Sequence, residues 1–410
     1  MSKVLGIVAE YNPFHNGHLY HITKAKEISH ADFTVAVIGG NFTQRGEPSL
    51  FDKWSKTETA LLSGIDLVLE LPVLYSTSSA ENFAEGAIKI LDSLGVVDDI
   101  TFGAENPDLE ILDAFAEVLY KEPKDFRTLL SHELKKGLPY PKARQNALMM
   151  YLNDIRKYVN VLSSPNNILA IEYLKALKKC DSVMNPLPIK RVNSAHGSSN
   201  VEGSISSASA IRNSVKNNDT FDLSTLMPAG AYSVLKENIN QGHILYNLNA
   251  FEKEIIYTLR KMDIKQIKEL QDVSEGLENA IKKAADSCNT LDELIDMIGS
   301  KRYTQTRIQR ILLYSLLGIT KKDIQLSKKI TPYARILGFN KKGKRLISEI
   351  VEANPEVEFV ASVKKFIKEC KNKDLQAMLE KDLLATNIYT LGYGKDSKSN
   401  LDFTQKIISI

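Results

Sequence analysis

The chain has 410 residues, of which 43% are hydrophobic and 25% charged, and its net charge is +3. This composition is typical of a soluble globular protein, and the length exceeds one ordinary core, so two domains are expected. The three cysteines, Cys180, Cys288 and Cys370, are far apart and have neither metal nor disulfide spacing. No apolar run is long enough for a signal peptide or a membrane span. The sequence therefore predicts a cytoplasmic protein with no membrane contact and no evident protein partner.

The charge is unevenly distributed along the chain. Residues 301–350 hold 13 of the 53 basic residues but only 2 of the 50 acidic ones. A concentrated basic segment on an otherwise acidic chain indicates a polyanionic partner. A solvated face of a helical domain would have the same composition, so that alternative stays open.

Short apolar runs alternate with amphipathic segments in the first half of the chain. The runs predict buried strands at residues 4–9, 33–38, 66–71, 98–102 and 187–192. The segments between them predict helices at residues 16–28, 52–63, 80–94 and 168–178. This alternation is typical of an α/β fold with a parallel sheet that helices cover on both faces. Ligands of such sheets bind beyond the carboxyl ends of the strands, so residues 15–18, 39–46 and 103–105 should converge there.

The strand pattern stops after residue 222. Periodic apolar segments beyond that point predict helices, and Pro228 and Gly230 punctuate the chain between residues 219 and 230. The sequence therefore predicts a catalytic domain at residues 1–222 and an all-helical, RNA-binding domain at residues 223–410.

The first strand leads into a turn that carries two histidines, and residues 6–20 read GIVAEYNPFHNGHLY. His15 and His18 are three residues apart, so both imidazoles are expected on one side of a helix N-terminus. Asn16 is the expected N-cap. The free N–H groups of that terminus attract phosphate, and Gly17 allows a phosphate chain to approach closely. The plain alternative is a turn with two surface histidines.

A second candidate phosphate site is the segment SISSASAIR at residues 204–212. Ser207 and Ser209 offer hydroxyl groups at a helix start, and Arg212 follows one turn later with a guanidinium that can bind phosphate through two hydrogen bonds. The plain alternative is a serine-rich helix cap.

Two further groups of polar residues lie at the ends of predicted elements. Asn166 and Asn167 follow Pro165 at a helix entry, where N–H groups could face a ligand. Lys190 and Arg191 end the fifth predicted strand and could meet phosphates. A helix cap and ordinary surface charges are the alternatives for these two groups.

The basic segment combines cations with aromatic residues. Arg302, Arg307 and Arg310 have helix-compatible spacing, and Tyr303 and Tyr333 lie among the cations. The segment continues through Arg335 into a predicted basic loop with the cations Lys341, Lys342, Lys344 and Arg345. Cations and exposed aromatic rings suit RNA, which they bind through phosphate contacts and base stacking. These eight cations are the predicted RNA-binding residues.

The HNGH turn resembles the signature of the HIGH-type nucleotidyltransferase superfamily, which acts on the α-phosphate of ATP on a Rossmann-like sheet. The second signature of that superfamily is ISSTxxR. Aligned on Arg212, Ser207 matches its second position and Ser209 stands for the threonine. Ser206 replaces the isoleucine and Ala208 replaces a serine, so those two positions depart from the pattern.

Several longer blocks, among them AEYNPFHNGHLYH, QRGEPSLFDKW, FGAEN and PYARILGFNKKGK, together resemble the bacterial tRNA(Met) cytidine acetate ligase family over nearly the whole chain. The resemblance implies that ATP activates acetate as acetyl-adenylate and that the acetyl group passes to N4 of the wobble cytidine of elongator tRNA(Met). Magnesium is expected as well, to neutralise phosphate charge, although no metal-ligand cluster in the sequence indicates its site.

The resemblance also assigns the site. The implied catalytic residues are His15, His18, Ser207, Ser209 and Arg212. The implied ATP-binding residues are Ile7, Val8, Ala9, Glu10, Tyr11, Asn12, Pro13, Phe14, His15, Asn16, Gly17, His18, Leu19, Tyr20, Gly103, Asn166 and Arg191, with Asn167 as an alternative to Asn166. Two other functions stay open: a nucleotidyltransferase for small molecules, and a non-catalytic tRNA-binding protein.

Overall fold

A computed structural model describes residues 2–153, 161–192, 206–217, 222–274, 276–299 and 303–410. Its strands form one sheet. They are β1 (Val4–Ala9), β2 (Phe33–Gly39), β3 (Leu67–Leu71), β4 (Asp99–Ala104), β5 (Asn185–Lys190), β6 (Ala334–Phe339), β7 (Phe359–Val360) and β8 (Ile408–Ser409). The strand order is β5-β4-β1-β2-β3-β6-β7, and β8 also pairs with β6.

Helices cover the sheet. Those before β5 are α1 (Asn16–Ser29), α2 (Lys53–Leu62), α3 (Val73–Ser76), α4 (Ala80–Ser93), α5 (Leu109–Lys121), α6 (Lys124–Lys135), α7 (Tyr140–Tyr151) and α8 (Pro165–Lys179). Those after β5 are α9 (Ala208–Asn217), α10 (Ala229–Gln241), α11 (Glu252–Lys261), α12 (Ile264–Glu269), α13 (Leu277–Ser287), α14 (Leu291–Ile298), α15 (Gln305–Leu317), α16 (Lys321–Lys329), α17 (Lys341–Ala353), α18 (Val363–Glu369), α19 (Lys373–Tyr389) and α20 (Leu401–Thr404). Among the described residues, none of these helices is both long and apolar enough to cross a membrane.

The two faces of the sheet bury separate apolar cores. In β2, Val35 and Val37 belong to one core and Ala36 and Ile38 to the other, because neighbouring side chains of a strand point to opposite faces. All seven residues of β2 are buried. Strands β1, β2, β3, β4 and β5 pair in parallel. The predicted Rossmann-like α/β fold is confirmed, and the carboxyl ends of these strands share one edge.

The second half of the chain is not all helical, so that part of the prediction is wrong. Strand β6 pairs antiparallel with β3, and β7 and β8 pair with β6. The run ARILGF is apolar enough to lie inside the sheet between β3 and β7, where five of its six residues are buried. The later residues therefore extend the sheet of the earlier ones, and a division at residue 222 stays a prediction.

A buried cluster of four charged side chains joins the two halves of the chain. The Nζ atom of Lys53 lies 2.9 Å from Oε1 of Glu70 and 2.7 Å from Oδ1 of Asp402. The guanidinium of Arg335 contacts the same two carboxylates at 3.1 and 2.6 Å. Each side chain is at most 5% exposed, so each charge depends on the others for compensation.

The variant Lys53→Met should lose about 3–5 kcal/mol of unfolding free energy, because it leaves two buried carboxylates that share a single cation. Urea unfolding would measure the loss. The matched control is Lys24→Met, which removes an exposed ion pair with Glu27 and should cost about 0–1 kcal/mol. Equal losses in the two variants would contradict the role of the cluster.

Candidate active site

The turn between β1 and α1 is held by two histidines that cap each other. The Nδ1 atom of His15 accepts a hydrogen bond from the Gly17 N–H at 3.0 Å, and the Nδ1 atom of His18 accepts one from the His15 N–H at 3.2 Å. The two rings stack with centroids 3.8 Å apart. His15 is thus the N-cap of α1, in a reciprocal capping arrangement.

This geometry determines the tautomer of both rings. A backbone N–H can only donate, so each Nδ1 must carry a lone pair and each neutral ring must carry its proton on Nε2. Burial and the charge of Arg191 lower the pKa of His15 to about 4. Burial, followed by the charges of His15, Arg191 and His21, holds the pKa of His18 well below its ordinary value. Both rings are therefore neutral Nε2–H donors at neutral pH.

The prediction that Asn16 caps the helix is wrong. His15 occupies that position, and the Asn16 N–H donates instead to the Leu226 carbonyl at 3.0 Å. The Asn16 side chain donates to the Thr225 carbonyl at 2.9 Å. The backbone N–H groups of Asn16 and Gly17 thus both donate to groups of the protein. The imidazoles are therefore the donors that the turn offers to a ligand.

These histidines line a cleft of about 510 Å³ at the carboxyl edge of the parallel strands. Most of the predicted site residues meet there. The predicted residues that line the cleft are Ile7, Val8, Ala9, Glu10, Tyr11, Asn12, His15, Gly17, His18, Tyr20, Gly103, Asn166, Arg191, Ser207 and Arg212. Four residues of the predicted turn do not line it: Pro13, Phe14, Asn16 and Leu19. Phe14 is fully buried in the apolar core under the turn.

One wall of the cleft is a hydrogen-bonded chain of polar residues. The Arg191 guanidinium donates to Oδ1 of Asn166 at 3.1 Å, and the Asn166 amide donates to Glu105. A Cβ atom on Gly103 would lie 3.2 Å from Cγ of Arg191, so a glycine there gives the arginine room. Asn167 is fully buried and accepts from the Asn106 N–H at 3.1 Å. Of the two asparagines, Asn166 is the one that faces the cleft.

The facing wall carries the second motif. Ser207 caps α9, since its Oγ accepts from the Ala210 N–H at 3.2 Å, and it also lies 3.1 Å from Oγ of Ser209. The guanidinium of Arg212 donates to the Asn12 carbonyl at 2.7 Å. Arg212 therefore supports the histidine turn from across the cleft. Ser209 does not line the cleft itself but contacts Ser207, which does.

Some residues of the cleft were missed as site candidates. His21 lies one helical turn beyond His18, lines the cleft and has Nε2 at 3.0 Å from Oγ1 of Thr101. Burial and Arg191 lower its pKa to about 4. The i, i+3 spacing of the two histidines could have identified it. Gln44 and Arg45 also line the cleft, and they belong to the segment 39–46 that was expected at this edge of the sheet. Tyr173 lines it from α8.

Several of the predicted tRNA-binding residues lie inside the protein. Arg335 belongs to the buried charge cluster, and Tyr333 is fully buried, so the prediction that they face RNA is wrong. Arg307 and Arg310 are half-buried and both donate to Asp272. These two arginines stabilise the fold, and an RNA contact from them stays a prediction that this geometry disfavours.

The remaining predicted cations lie elsewhere. Residues 341–345 form the first turn of α17 and not a loop, because Asn340 caps the helix by accepting from the Gly343 N–H at 2.9 Å. The exposed cations of this turn are Lys341, Lys342, Lys344 and Arg345. Arg302 lies outside the described residues.

Comparisons with known proteins agree with this architecture. A family model described as HIGH Nucleotidyl Transferase matches residues 2–403. The chain belongs to the HIGH nucleotidyl transferase family. Relatives named tRNA(Met) cytidine acetate ligase are 46% identical in Acetivibrio thermocellus and 44% identical in Thermoanaerobacter sp. strain X514. The alignments cover 99% of this chain in both cases, and 99% and 100% of the relatives.

Solved structures of Thermotoga maritima TmcAL are similar to this member of the HIGH nucleotidyl transferase family. The apo form has a TM-score of 0.93 and 34% identity, with 100% of this chain and 99% of that chain covered. A second form of that protein, with the same TM-score and identity, was solved bound with alpha-thio ATP.

The imidazole of His15 should remain neutral from pH 8 down to about pH 5 and protonate only near pH 4, since its pKa is lowered to about 4. An unfolded histidine binds a proton near pH 6.5. The neutral ring therefore stabilises the fold fully above about pH 6.5, and this contribution is lost as the pH falls towards 4. NMR of labelled imidazoles would follow the titration, with His15→Gln to assign the signal. A midpoint near pH 6.5 would contradict the burial argument.

Proposed function

We propose that this chain is an ATP-dependent ligase that activates acetate as acetyl-adenylate and transfers the acetyl group to N4 of the wobble cytidine of elongator tRNA(Met). The products are N4-acetylcytidine, AMP and pyrophosphate. The observation that carries the proposal is the pair of neutral imidazole donors at the carboxyl edge of the sheet, opposite Arg212. The names of the full-length relatives support the substrate, and a tRNA substrate would be met in the cytoplasm.

In the first step, an oxygen of acetate attacks the α-phosphorus of ATP and pyrophosphate leaves. Phosphoryl transfer needs mainly positioning and charge stabilisation from the protein. The Nε2–H groups of His15 and His18 would donate to the α-phosphate oxygens as their charge grows. Arg212, with Ser207 and Ser209 beside it, would bind the β- and γ-phosphates. Gly103, Asn166 and Arg191 would bind the rest of the nucleotide.

Magnesium fits this cleft only together with the substrate. Among the described residues, no group of three histidine, cysteine or acidic side chains could hold a metal alone, and the cleft lining includes one carboxylate, Glu10. Mg²⁺ is commonly held by one or two carboxylates plus substrate phosphates and keeps several waters. Glu10 would thus hold the ion with the triphosphate, and the ion would neutralise phosphate charge.

In the second step, the N4 amine of cytidine attacks the carbonyl carbon of acetyl-adenylate. The new bond joins nitrogen to the acetyl carbon, the bond from that carbon to the bridging oxygen breaks, and AMP leaves with that oxygen while the amine loses a proton. Neither His15 nor His18 is suited to accept this proton, because their Nδ1 lone pairs bind backbone N–H groups. The role we assign to both rings is therefore donation to the nucleotide.

A basic concavity on the opposite edge of the sheet supports binding of the tRNA body. Lys341, Lys342 and Arg345 line it together with Asp32 and Phe33 at the start of β2. Since Val4 pairs with Phe33 and Ala9 lines the cleft, the two sites lie at opposite ends of β1. At about 3.3 Å per residue the two ends of β1 are roughly 17 Å apart, so a polyanion that contacts both sites must be large.

The variant His18→Ala should slow acetate-dependent exchange between ATP and pyrophosphate by about 10²–10³-fold, the loss expected for one preorganised donor. The same variant should form less acetylated tRNA, measured by mass spectrometry with isotopically labelled acetate. His30→Asn, at the exposed C-terminus of the same helix, is the matched control. Near-normal exchange in His18→Ala would refute the assignment, and wild-type enzyme that adds no labelled acetyl mass to the tRNA would refute the acceptor.

Replacing Lys341 and Lys342 by alanine should weaken tRNA binding and lower the slope of log K against log salt by roughly 1–2, because phosphate contacts release counterions. Exchange between ATP and pyrophosphate should be unchanged. The control removes two exposed lysines from α6, Lys124 and Lys135. Equal tRNA affinity of the two double variants, measured at several salt concentrations, would show that the concavity does not bind RNA.

A further inference from the structure

A short hairpin after β2 presents an arginine to the cleft. Phe42 and Pro48 form an antiparallel bridge, and the Thr43 N–H donates to the Glu47 carbonyl at 2.8 Å. The backbone N–H of Gln44 donates to Oε1 of Glu10 at 2.7 Å, which ties the tip of the hairpin to the end of β1. Arg45 follows Gln44 and lines the cleft. The position of this arginine is therefore set by the backbone on both sides of it.

The far side of the hairpin packs directly on helix α15. Gly46 has φ of +81°, and a Cβ atom there would lie 2.6 Å from the backbone nitrogen of Arg310. Both the positive φ and the close approach require glycine. The Gln309 side chain also donates to the Glu47 carboxylate at 3.1 Å. These contacts keep the tip from turning away from the cleft.

Arg45 differs from the other arginines of the cleft, each of which donates to a group of the protein. Arg191 donates to Asn166, and Arg212 donates to the Asn12 carbonyl. Within the described part of the chain, the exposed guanidinium of Arg45 has neither a hydrogen bond nor an ion pair. Its five donors are thus available to a ligand.

Arg45 and Arg212 both line the cleft. Burial lowers the pKa of Arg212, Glu47 and Glu10 oppose that effect, and the charge of Arg45 adds to the lowering. Two guanidinium groups in one cleft repel each other, and an anion bound between them would offset that repulsion. A planar guanidinium fork matches the oxygens of a phosphate group, so a phosphate chain is the anion that such a pair suits.

We propose that Arg45 binds the β- and γ-phosphates of ATP together with Arg212, and so holds the pyrophosphate that leaves in the first step. The inference rests on the proposed function, because it takes the α-phosphate to lie at His15 and His18. From there the phosphate chain runs towards Arg212 and the hairpin, away from Arg191. Arg45 would then be a residue that distinguishes ATP from AMP.

The test compares ATP and AMP binding by calorimetry, without acetate or tRNA. Arg45→Ala should raise the Kd for ATP by about 10- to 100-fold, the effect of one lost charge-assisted contact, and leave the Kd for AMP within about twofold. Arg45→Lys should recover part of the loss. Arg127→Ala, on the exposed face of α6, is the matched control and should bind both nucleotides normally.

Each other outcome would overturn the inference. An equal change in the Kd for ATP and AMP would mean that Arg45 only shapes the cleft. Normal ATP binding would contradict the inference, and a raised KM for acetate or for tRNA in a separate assay of the complete reaction would assign Arg45 to that substrate instead. Failure of the wild-type chain to bind ATP would overturn the nucleotide site itself. Because the assay contains neither acetate nor tRNA, a wrong acceptor assignment would leave the result for Arg45 unaffected.

Discussion

The reciprocal cap between His15 and His18 is the interaction on which the rest of the site depends. It satisfies two backbone N–H groups at the start of α1 with imidazole nitrogens, and so keeps both rings stacked and both Nε2 protons available. The same burial that makes the cap rigid keeps the rings uncharged at neutral pH. A preorganised neutral donor needs no rearrangement when charge develops on a phosphate, which is the basis of the effect on rate that we propose for both rings.

The single sheet explains how one chain separates its two tasks. Parallel strands bring the histidine turn, Gly103 and Arg191 to the carboxyl edge. Strand β6 runs antiparallel to β3, so the helix that follows it begins at the opposite edge, where its basic first turn lies. The buried charges of Lys53, Glu70, Arg335 and Asp402 hold this extension to the sheet. Under the proposed function, the nucleotide and the body of the tRNA would therefore bind without competing for the same surface.

Local patterns in the sequence predict much of this structure. The alternation of apolar runs and amphipathic helices identifies the parallel sheet, and the spacing of His15 and His18 identifies the turn. The sequence favours Asn16 as the N-cap of α1, because asparagine is a common N-cap. The observed cap, His15, depends on the geometry of two rings, which the sequence does not show. The strand at residues 334–339 depends on pairing with β3, more than 260 residues earlier, so no local pattern reveals it. The helix that begins at Lys341 depends on its cap Asn340, whose side chain donates to the distant Asp66. In the same way, the burial of Arg335 follows from carboxylates at Glu70 and Asp402 that no local pattern reveals.

The central claim, that acetate attacks the α-phosphorus of ATP in this cleft, can be followed by isotope. If enzyme, ATP and tRNA(Met) are incubated with acetate labelled with ¹⁸O in both carboxyl oxygens, the account predicts one labelled oxygen in AMP and one in the acetyl group on the tRNA. Mass spectrometry would detect both. Unlabelled AMP, or label in pyrophosphate or phosphate, would contradict the acetyl-adenylate and with it the role given to the two histidines.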